Sequence, residues 1–365
     1  MDDDQFYMGI ALSILEKYNG SSFPNPTVVC LIVESNKNLK DSNIVSFGIT
    51  DRGGRPHAEF KAISKVNFKV NKYYRLYSTL EPCCHSGRDI SCVELIKRKK
   101  INEVVYATND PDKRVNGKGR RILKNSKIKV TSGILEEQIK RNYSGYFLNR
   151  KNDRPRVTLK FALSLDGKIS HKFRTRSKIT NDLSQRILHS IRSNYDAILV
   201  GANTVKIDNP KLNCRLNGLR EHSPIRVTIS KDLNVKNNYN IFKNCEKSKT
   251  IFFTKRNEEK NISSTEKPNL KIIPLENKNF NLRHILKVLS SHGIFKLLVE
   301  GGSEIFNSFI SSNFCDELII FQSNYFVGDK GQPALGKVYL DLTKKKFKLK
   351  QVTILDNDTM KIYEK

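Results

Sequence analysis

The stretch Thr79-Leu-Glu-Pro-Cys-Cys-His-Ser-Gly-Arg-Asp-Ile-Ser-Cys92 decides how the first part of this chain is interpreted. It offers two thiols, Cys83 and Cys92, and it follows the triplet His57-Ala-Glu59. One imidazole and two thiolates are typical zinc ligands, and three protein ligands leave the fourth position of a tetrahedral zinc ion open for water. The residues therefore predict a hydrolytic zinc site held by His57, Cys83 and Cys92, with Glu59 as the catalytic group that moves protons.

The order of these residues matches the pattern H-x-E…P-C…C of zinc-dependent deaminases, but the spacing of the thiols differs from it. Nine positions separate Cys83 from Cys92, whereas most of these enzymes have C-x-x-C. Cys83 is a better ligand candidate than Cys84 because it directly follows a proline. His85 could also bind the metal, although a substrate contact is the better interpretation. Taken singly, each of these residues could instead be a surface histidine or an ordinary buried thiol.

Length and charge set limits on the class of protein. With 365 residues the chain is long enough for two domains, and its net charge is +28. Residues 1–150 contain 26 Lys and Arg against 16 Asp and Glu, or +10, which leaves +18 for the rest. Because the excess is spread over both parts, we interpret most of it as solvated surface lysine. A phosphate-bearing ligand is the main functional alternative, and nucleic acid is the second.

Cysteine usage and hydrophobicity indicate a protein of the cytoplasm. The seven cysteines are odd in number and irregularly spaced, and no secretory signal precedes them, so we do not expect a disulfide framework. No segment approaches the 18 consecutive apolar residues of a membrane span. We therefore predict no membrane association.

Periodicity predicts an α/β fold with one mixed sheet in the first part of the chain. We expect strands over residues 27–33, 44–50, 73–79, 101–108 and 128–131. Helices are expected over residues 4–18, from His57, from Cys92, and from about residue 135 to 148. The charged, proline-bearing residues 149–155 are predicted to be a linker between domains at 1–148 and 156–365.

A second α/β unit is predicted after the linker. Strands are expected over residues 156–163, 197–200, 225–229, 250–253, 270–273 and 295–300, with helices over residues 182–193, 282–292 and 304–311. The turn Gly301-Gly-Ser303, between a strand and a helix, resembles a phosphate-binding turn because free N–H groups lie at a helix start. It is not a G-x-G-x-x-G fingerprint, and a simple tight turn remains an alternative.

Taken together, the motifs of both halves resemble the bifunctional deaminase–reductases of riboflavin biosynthesis along nearly the whole chain. In the first half the matching segments are Pro24-Asn-Pro26, Pro56-His-Ala-Glu59, Thr79-Leu-Glu-Pro-Cys83, His85, Gly87 and Cys92, and the nine-residue thiol spacing belongs to this branch. In the second half they are Lys160, Ser164-Leu-Asp-Gly167, Ile179-Thr180, Thr204, Asp208-Asn-Pro210, Arg215, Val299-Glu-Gly-Gly-Ser303 and Asp316-Glu-Leu318.

The resemblance implies an N-terminal cytidine-deaminase-like α/β/α domain and a C-terminal dihydrofolate-reductase-like α/β domain. It implies zinc and NADPH as cofactors, a pyrimidine ribosyl phosphate as substrate, and a homo-oligomer without nucleic acid. The first domain would remove an amino group by hydrolysis, and the second would reduce the ribosyl group to ribityl. The alternatives are a deaminase of nucleic-acid bases and a zinc-stabilised binding protein without turnover.

The resemblance also assigns roles to further residues. Predicted substrate contacts in the deaminase are Asn25, His85, Arg88, Asp110 and Asp112. Predicted cofactor contacts in the reductase are Ala162, Lys178, Thr204, Asp208, Lys231, Gly302 and Ser303, with Lys160 nearby. Predicted substrate contacts in the reductase are Ser177, Arg192, Leu212, Arg215 and Glu300, of which the two arginines suit a sugar phosphate.

Three positions depart from the family pattern. Asp112 stands where the family usually has asparagine, and Cys84 stands where it usually has serine. The reductase segment Ser-x-Trp-Ile-Thr is replaced by Arg176-Ser-Lys-Ile-Thr180, and the chain contains no tryptophan.

Overall fold

A computed structural model of the chain divides into two compact units, Met1–Asp153 and Arg154–Lys365. The structure describes residues 3–38, 41–85, 90–173, 175, 177–230, 239–243, 248–255, 269–276, 281–335 and 346–365. The unit boundary falls within the stretch 149–155.

The first unit contains a five-stranded sheet with the strand order β2-β1-β3-β4-β5. Strand β1 is antiparallel to both of its neighbours, whereas β3, β4 and β5 run parallel. Its strands are β1 (Val29–Ser35), β2 (Asn43–Ile49), β3 (Tyr73–Ser78), β4 (Glu103–Tyr106) and β5 (Lys129–Ser132). Its helices are α1 (Asp3–Tyr18), α2 (Ala58–Ile63), α3 (Cys92–Arg98), α4 (Lys118–Asn125), α5 (Glu136–Asn142) and α6 (Ser144–Asn152).

Helices α2 and α3 pack on the sheet through one apolar cluster. Ala62 of α2 and Ile96 of α3 contact the buried strand residues Ile32 and Val104. Strand β2 approaches α2 so closely that a Cβ atom added to Gly48 would lie 2.7 Å from the backbone nitrogen of Ala62. This close packing fixes where the N-terminal ends of α2 and α3 lie, and both ends carry predicted metal ligands.

The mixed sheet and its five strands confirm the sequence prediction for the first unit. The single helix predicted over residues 135–148 was wrong, because the chain forms two helices that meet at Tyr143. Helix α6 also continues to Asn152, so the first residues of the stretch predicted as a linker are helical. Helix α4 was not predicted, because five of its eight residues are Lys, Arg or Asn and give little apolar periodicity.

The second unit contains a nine-stranded sheet with the order β11-β10-β9-β8-β12-β6-β13-β16-β15. The strands from β11 to β13 in this order are parallel, and β16 and β15 continue the sheet in antiparallel orientation. The strands are β6 (Arg156–Leu163), β7 (Lys168–Ser170), β8 (Ala197–Gly201), β9 (Ile225–Ile229), β10 (Thr250–Lys255), β11 (Leu270–Leu275), β12 (Lys296–Val299), β13 (Glu317–Gln322), β14 (Gln332–Pro333), β15 (Lys348–Leu355) and β16 (Asp358–Glu364).

The helices of the second unit connect the parallel strands. They are α7 (Asp182–Arg192), α8 (Ala202–Asp208), α9 (Asn240–Lys243), α10 (Leu282–Ser291) and α11 (Ser303–Ser311), with one 3-10 turn at Arg220–His222. Strands β7 and β14 form a separate antiparallel pair.

The six strands predicted from residue 156 to residue 300 are all present. Helices α8 and α9 and strands β7 and β13 to β16 were not predicted. Strand β13 contains the apolar run Leu318-Ile-Ile-Phe321 that could have identified it, whereas β7, β14 and α9 have only two to four residues each. Within the described ranges no helix is long and apolar enough to cross a membrane.

Candidate functional site

Three side chains with the chemistry of zinc ligands converge in the first unit. The ring nitrogen Nδ1 of His57 lies 3.3 Å from the sulfur of Cys92 and 3.4 Å from the sulfur of Cys83. The three ligand atoms all lie within 4.8 Å of one another. Among the described residues, no fourth histidine, cysteine or carboxylate joins this group. The donor set therefore fits a zinc ion with one position open for water.

Local structure explains why these ligands meet. His57 occupies the N-cap position of α2, in extended conformation and without a capping bond from its side chain, so its ring is available. Cys92 is the first residue of α3, whose N-cap Ser91 accepts a bond from the Glu94 N–H. The backbone N–H of Cys92 points to the sulfur of Cys83 at 3.4 Å. The N-terminal end of α3 therefore stabilises negative charge on the sulfur of Cys83.

The protonation of the two thiols is strongly coupled by their proximity. Hydrogen bonding from Cys92, helped by His57, lowers the pKa of Cys83 to about 4. The same contact raises the pKa of Cys92 well above its usual value, and burial acts in the same direction. The hydrogen bond with Cys83 raises the pKa of His57. A divalent cation bound between the two sulfurs would favour the thiolate form of both.

Glu59 lies in the first turn of α2 and is 4% exposed. Burial raises the pKa of its carboxyl group, while the positive charge of His57 and a hydrogen bond with Cys92 act in the opposite direction. A carboxyl group with a raised pKa can both accept and return a proton near neutral pH. Glu59 therefore has the position and the chemistry of a general acid–base group beside the three ligands.

The loop after β4 lies beside the metal-ligand segment because Glu81 holds it there. The buried Glu81 carboxylate accepts backbone N–H bonds from Asp110, Gly117 and Arg120, at 3.4, 2.9 and 3.2 Å. No sequence signal separated Glu81 from the rest of its motif. Its contacts span 29 to 39 positions of the chain, so only the fold reveals its role.

The predicted substrate contacts of the deaminase differ in burial and in hydrogen bonding. Asp110 and Asp112 are buried together in this loop. Asn25 donates from its side-chain amide to the carbonyl of Gly53 at 3.3 Å. The Nδ1 atom of His85 is buried and has no hydrogen-bond partner among the described residues. The predicted contact Arg88 lies outside the described residues.

A cavity of 780 Å³ opens at the carboxyl ends of parallel strands in the second unit. Ligands of open α/β sheets bind at this edge, where strand ends and helix starts meet. Its volume lies within the usual range for small-molecule and cofactor sites. Of the predicted residues, the cavity brings together Ser177, Thr204, Asp208, Gly302 and Ser303.

The glycine turn predicted to bind phosphate forms one wall of this cavity. The backbone N–H of Gly302 donates to the hydroxyl of Thr204 at 3.3 Å, and Gly302 is the N-cap of the nine-residue helix α11. Gly301 has φ +134°, a conformation that favours glycine, and an added Cβ would lie 2.8 Å from the Thr204 hydroxyl. The helix start and the half-buried turn can accept an anionic group of a cofactor.

A buried ion cluster lies at the end of β12. Arg192 and Glu300 form two parallel bonds of 2.8 Å, and the Nζ atom of Lys160 lies 3.6 Å from Glu300. Burial opposes ionisation of Glu300, but Arg192 and Lys160 outweigh it and hold the pKa at about 2. Burial lowers the pKa of Lys160. The sequence predicted these residues separately, and the fold pairs them.

Other predicted contacts of the reductase do not line this cavity. Lys178 forms an exposed ion pair with Asp182 at 2.6 Å. Leu212 is buried in an apolar cluster that also contains Ile198 and Phe242, Ala162 pairs with strand β13, and Lys231 lies outside the described residues. Arg215 is close enough to His189 to lower the pKa of that imidazole, although burial is the larger cause.

Several lining residues were missed by sequence reasoning. Ser230 follows β9 directly, and Lys206 lies on α8 between two predicted contacts. The available signal was their position at the ends of predicted strands, since that edge of a parallel sheet carries the site.

Comparison with known proteins covers both units. Residues 155–361 match the family model described as the RibD C-terminal domain, and residues 1–108 match the cytidine and deoxycytidylate deaminase zinc-binding region. The riboflavin biosynthesis protein RibD of Aquifex aeolicus is 36% identical over 326 residues, which cover 89% of this chain and 88% of the relative. The protein of the same name from Bacillus amyloliquefaciens is 31% identical over 332 residues, with 91% and 87% coverage.

Solved structures resemble the whole chain. RibD of Acinetobacter baumannii is 27% identical with a TM-score of 0.87, and 99% of this chain and 98% of that chain are covered. A diaminohydroxyphosphoribosylaminopyrimidine deaminase/5-amino-6-(5-phosphoribosylamino)uracil reductase of Thermotoga maritima is 31% identical with a TM-score of 0.82 and the same coverage.

Proposed function

Because this chain belongs to the RibD family of riboflavin-biosynthesis proteins, we propose that its two units act in succession on one pyrimidine ribosyl phosphate. The protein is a bifunctional enzyme with a cytidine-deaminase-like zinc domain and a dihydrofolate-reductase-like domain that uses NADPH. The first reaction hydrolyses the 2-amino group of 2,5-diamino-6-ribosylamino-4(3H)-pyrimidinone 5′-phosphate, and the second reduces its ribosyl group to ribityl, which gives 5-amino-6-ribitylamino-uracil 5′-phosphate. The name of the Thermotoga maritima relative supports this pair of substrates.

The three metal ligands and Glu59 form the proposed active site of the deaminase. Zinc held by His57, Cys83 and Cys92 supplies a Lewis acid that makes water acidic enough to act as a nucleophile. Glu59 takes a proton from the attacking water and delivers it to a ring nitrogen of the pyrimidine. It then takes the remaining proton of the newly attached hydroxyl group and passes it to the amino group, which leaves as ammonia. The observation that carries this assignment is a buried carboxyl group beside three ligand atoms within 4.8 Å of one another.

The reductase activity belongs to the second unit. NADPH supplies the hydride, and Thr204, Asp208 and the Gly302–Ser303 turn bind it in the 780 Å³ cavity. The ribosyl phosphate is bound by Arg192 and Arg215. The buried ion pair of Arg192 with Glu300 fixes the orientation of the guanidinium for that contact.

The domain boundaries follow the division of the chain. We assign residues 1–148 to the deaminase and 156–365 to the reductase, joined by the linker 149–155, whose first four residues complete helix α6 of the first unit. The division into compact units between Asp153 and Arg154 supports these limits. We further propose that the protein is a cytoplasmic homo-oligomer that binds no nucleic acid and no membrane. Light scattering of the purified protein measures the oligomeric state.

One assay tests both activities on the same sample. The zinc-loaded protein is given the diamino-pyrimidinone phosphate, ammonia is measured, and NADPH is then added while its absorbance is followed. We expect ammonia release first and NADPH oxidation afterwards. No ammonia would contradict the deaminase assignment, and ammonia without NADPH oxidation would contradict the reductase assignment.

Glu59→Gln separates catalysis from metal binding. The amide cannot carry the proton, so we expect ammonia release to fall by at least about 10³-fold, within the range of general acid–base catalysis. Zinc content and NADPH oxidation on the deaminated substrate should stay unchanged. A zinc-stabilised binding protein without turnover predicts no ammonia from either form. A deaminase of nucleic-acid bases predicts ammonia from cytosine- or adenine-containing oligonucleotides instead.

A further inference from the structure

Two carboxylates share the loop after β4, next to the metal-ligand segment. Glu81, two residues before Cys83, accepts the backbone N–H of Asp110 and anchors this loop. Asp110 and Asp112 are 8% and 9% exposed, and they are two residues apart. Two carboxylates that are nearly buried in the same loop repel each other when both are ionised, unless nearby positive charges or hydrogen-bond donors compensate their charge.

The orientation of Asp110 is fixed by two donors. Its Oδ1 atom accepts the hydroxyl of Tyr146 at 2.8 Å and the backbone N–H of Asp112 at 2.9 Å. Burial raises the pKa of Asp110, while these two hydrogen bonds act against that rise. Because both bonds reach Oδ1, the direction of Oδ2 is fixed as well.

The charge of Asp112 is compensated by two arginines. Arg114 binds it with two bonds, of 3.0 Å from Nε and 2.7 Å from Nη2. The Nε atom of Arg150 lies 3.7 Å from Oδ2 of the same carboxylate. The hydrogen bond from Arg114 lowers the pKa of Asp112, and the charge of Arg150 contributes. Asp112 is therefore ionised.

Tyr146 and Arg150 belong to one face of α6. They are four residues apart, so their side chains are neighbours on the helix surface. The guanidinium of Arg150 lies 5.2 Å from the ring centroid of Tyr146, a cation–π distance. Tyr146 contacts Asp110 and Arg150 contacts Asp112, so adjacent side chains of α6 interact with both carboxylates.

We propose that Tyr146 and Arg150 are positioning residues of the deaminase, which orient Asp110 and compensate the charge of Asp112. This inference rests on the proposed function, since it takes the two carboxylates as substrate contacts. Without Arg150, the charge of Asp112 would be less compensated, would raise the pKa of Asp110 and would repel an anionic substrate.

A double-mutant cycle of Arg150→Met and Asp112→Asn tests the charge compensation. Methionine keeps an unbranched apolar side chain in place of the arginine stem but removes the charge. We expect Arg150→Met to raise the KM for ammonia release about tenfold in the wild-type background, which is about 1.4 kcal/mol. In the Asp112→Asn background, where no charge needs compensation, the same change should have less than a twofold effect.

The cycle has outcomes that overturn the proposal. An equal effect of Arg150→Met in both backgrounds, or no effect in the wild type, would contradict it. The effect of Arg150→Met is taken as the ratio of KM values within each background, so it does not depend on the basal rate of the Asp112→Asn protein. NADPH oxidation by the same samples and their zinc content should not change, which controls for misfolding. Absence of ammonia release in the wild type would instead contradict the proposed function.

Tyr146→Phe tests the orientation of Asp110, with Tyr77→Phe as the matched control. Tyr77 also donates a buried hydroxyl to an aspartate, Asp4, at 2.7 Å, away from the loop after β4. We expect Tyr146→Phe to raise the KM of deamination about fivefold with a smaller change in kcat, since the loss of one hydrogen bond to a charged group is about 1 kcal/mol or more. Tyr77→Phe should leave both constants unchanged. Equal effects of the two substitutions would overturn the assignment.

Discussion

At the residue scale, the spacing of the two thiols acquires a structural reason. Cys83 follows β3, which ends at Ser78, and Cys92 begins α3, so the two thiols come from different parts of the unit. The backbone N–H of Cys92 nevertheless reaches the Cys83 sulfur at 3.4 Å. The nine-residue spacing therefore joins the segment after a strand to the start of a helix.

Glu300 offers a residue-scale prediction in the reductase. Glu300→Gln leaves Arg192 and Lys160 buried without their counter-charge, and breaking a buried pair costs about 3 kcal/mol or more. We expect a lower free energy of unfolding in urea titrations and loss of NADPH oxidation, while ammonia release is retained. An unchanged free energy of unfolding for Glu300→Gln would contradict this expectation, because it would show that water solvates Arg192 and Lys160 in place of the lost carboxylate.

The same residue predicts a pH dependence. The folded pKa of Glu300 is about 2, below the ordinary value near 4.3, so its ionisation stabilises the folded state fully above about pH 4.3. That stability is lost as the pH falls toward 2. The difference in unfolding free energy between wild type and Glu300→Gln should therefore shrink between pH 5 and pH 3, as urea titrations at each pH would measure.

At the scale of elements, helix α8 is hydrogen-bonded to the glycine turn at the start of helix α11. Thr204 of α8 accepts the N–H of Gly302, which is the N-cap of α11, and Gly301 has a backbone conformation suited to glycine. The cavity in which we propose that NADPH binds therefore depends on the contact between two strand ends and the helices that follow them.

Gly301→Ala and Gly302→Ala form a matched pair that tests this turn. At Gly301 the new Cβ meets the Thr204 hydroxyl and the backbone is strained, so we expect a loss of about 1–3 kcal/mol in stability. At Gly302 an added Cβ meets no atom within 4 Å, so stability should be retained. Both variants should bind NADPH more weakly by calorimetry, because the turn faces the cavity. Equal melting temperatures for the two variants would contradict the strain at Gly301.

At the scale of the whole molecule, the chain joins two units with separate cores and separate sites. The three candidate zinc ligands lie in the first unit, and the cavity and the buried ion cluster lie in the second. Each sheet is completed by strands of its own unit. The two activities therefore depend on different parts of the chain.

This separation predicts the effect of metal removal. Dialysis of the full chain against a zinc chelator should abolish ammonia release, and NADPH oxidation on the already deaminated substrate should continue at its former rate. Added zinc should restore ammonia release. Loss of both activities on chelation would indicate that the metal stabilises more than the first unit.

The sequence by itself determined the α/β class, the mixed sheet, the zinc ligand candidates, Glu59 and the glycine turn. These features depend on residue types at short spacing, which local periodicity and motif order encode. Elements were missed or joined where polar residues obscured the period, as at α4, at the break between α5 and α6, and in β15, whose first five residues are exposed and whose last residue alone is buried. The roles of the individual site residues stay predictions.

Only the tertiary structure decided which distant side chains meet. Tyr146 reaches Asp110 across 36 positions, and Arg192 reaches Glu300 across 108. Arg192 and Glu300 were both predicted from the sequence as site residues, but not as an ion pair. Nothing in the sequence selected Tyr146, Arg150 or Glu81. Such contacts arise because strand order and helix packing bring remote segments together, and no local pattern records that arrangement.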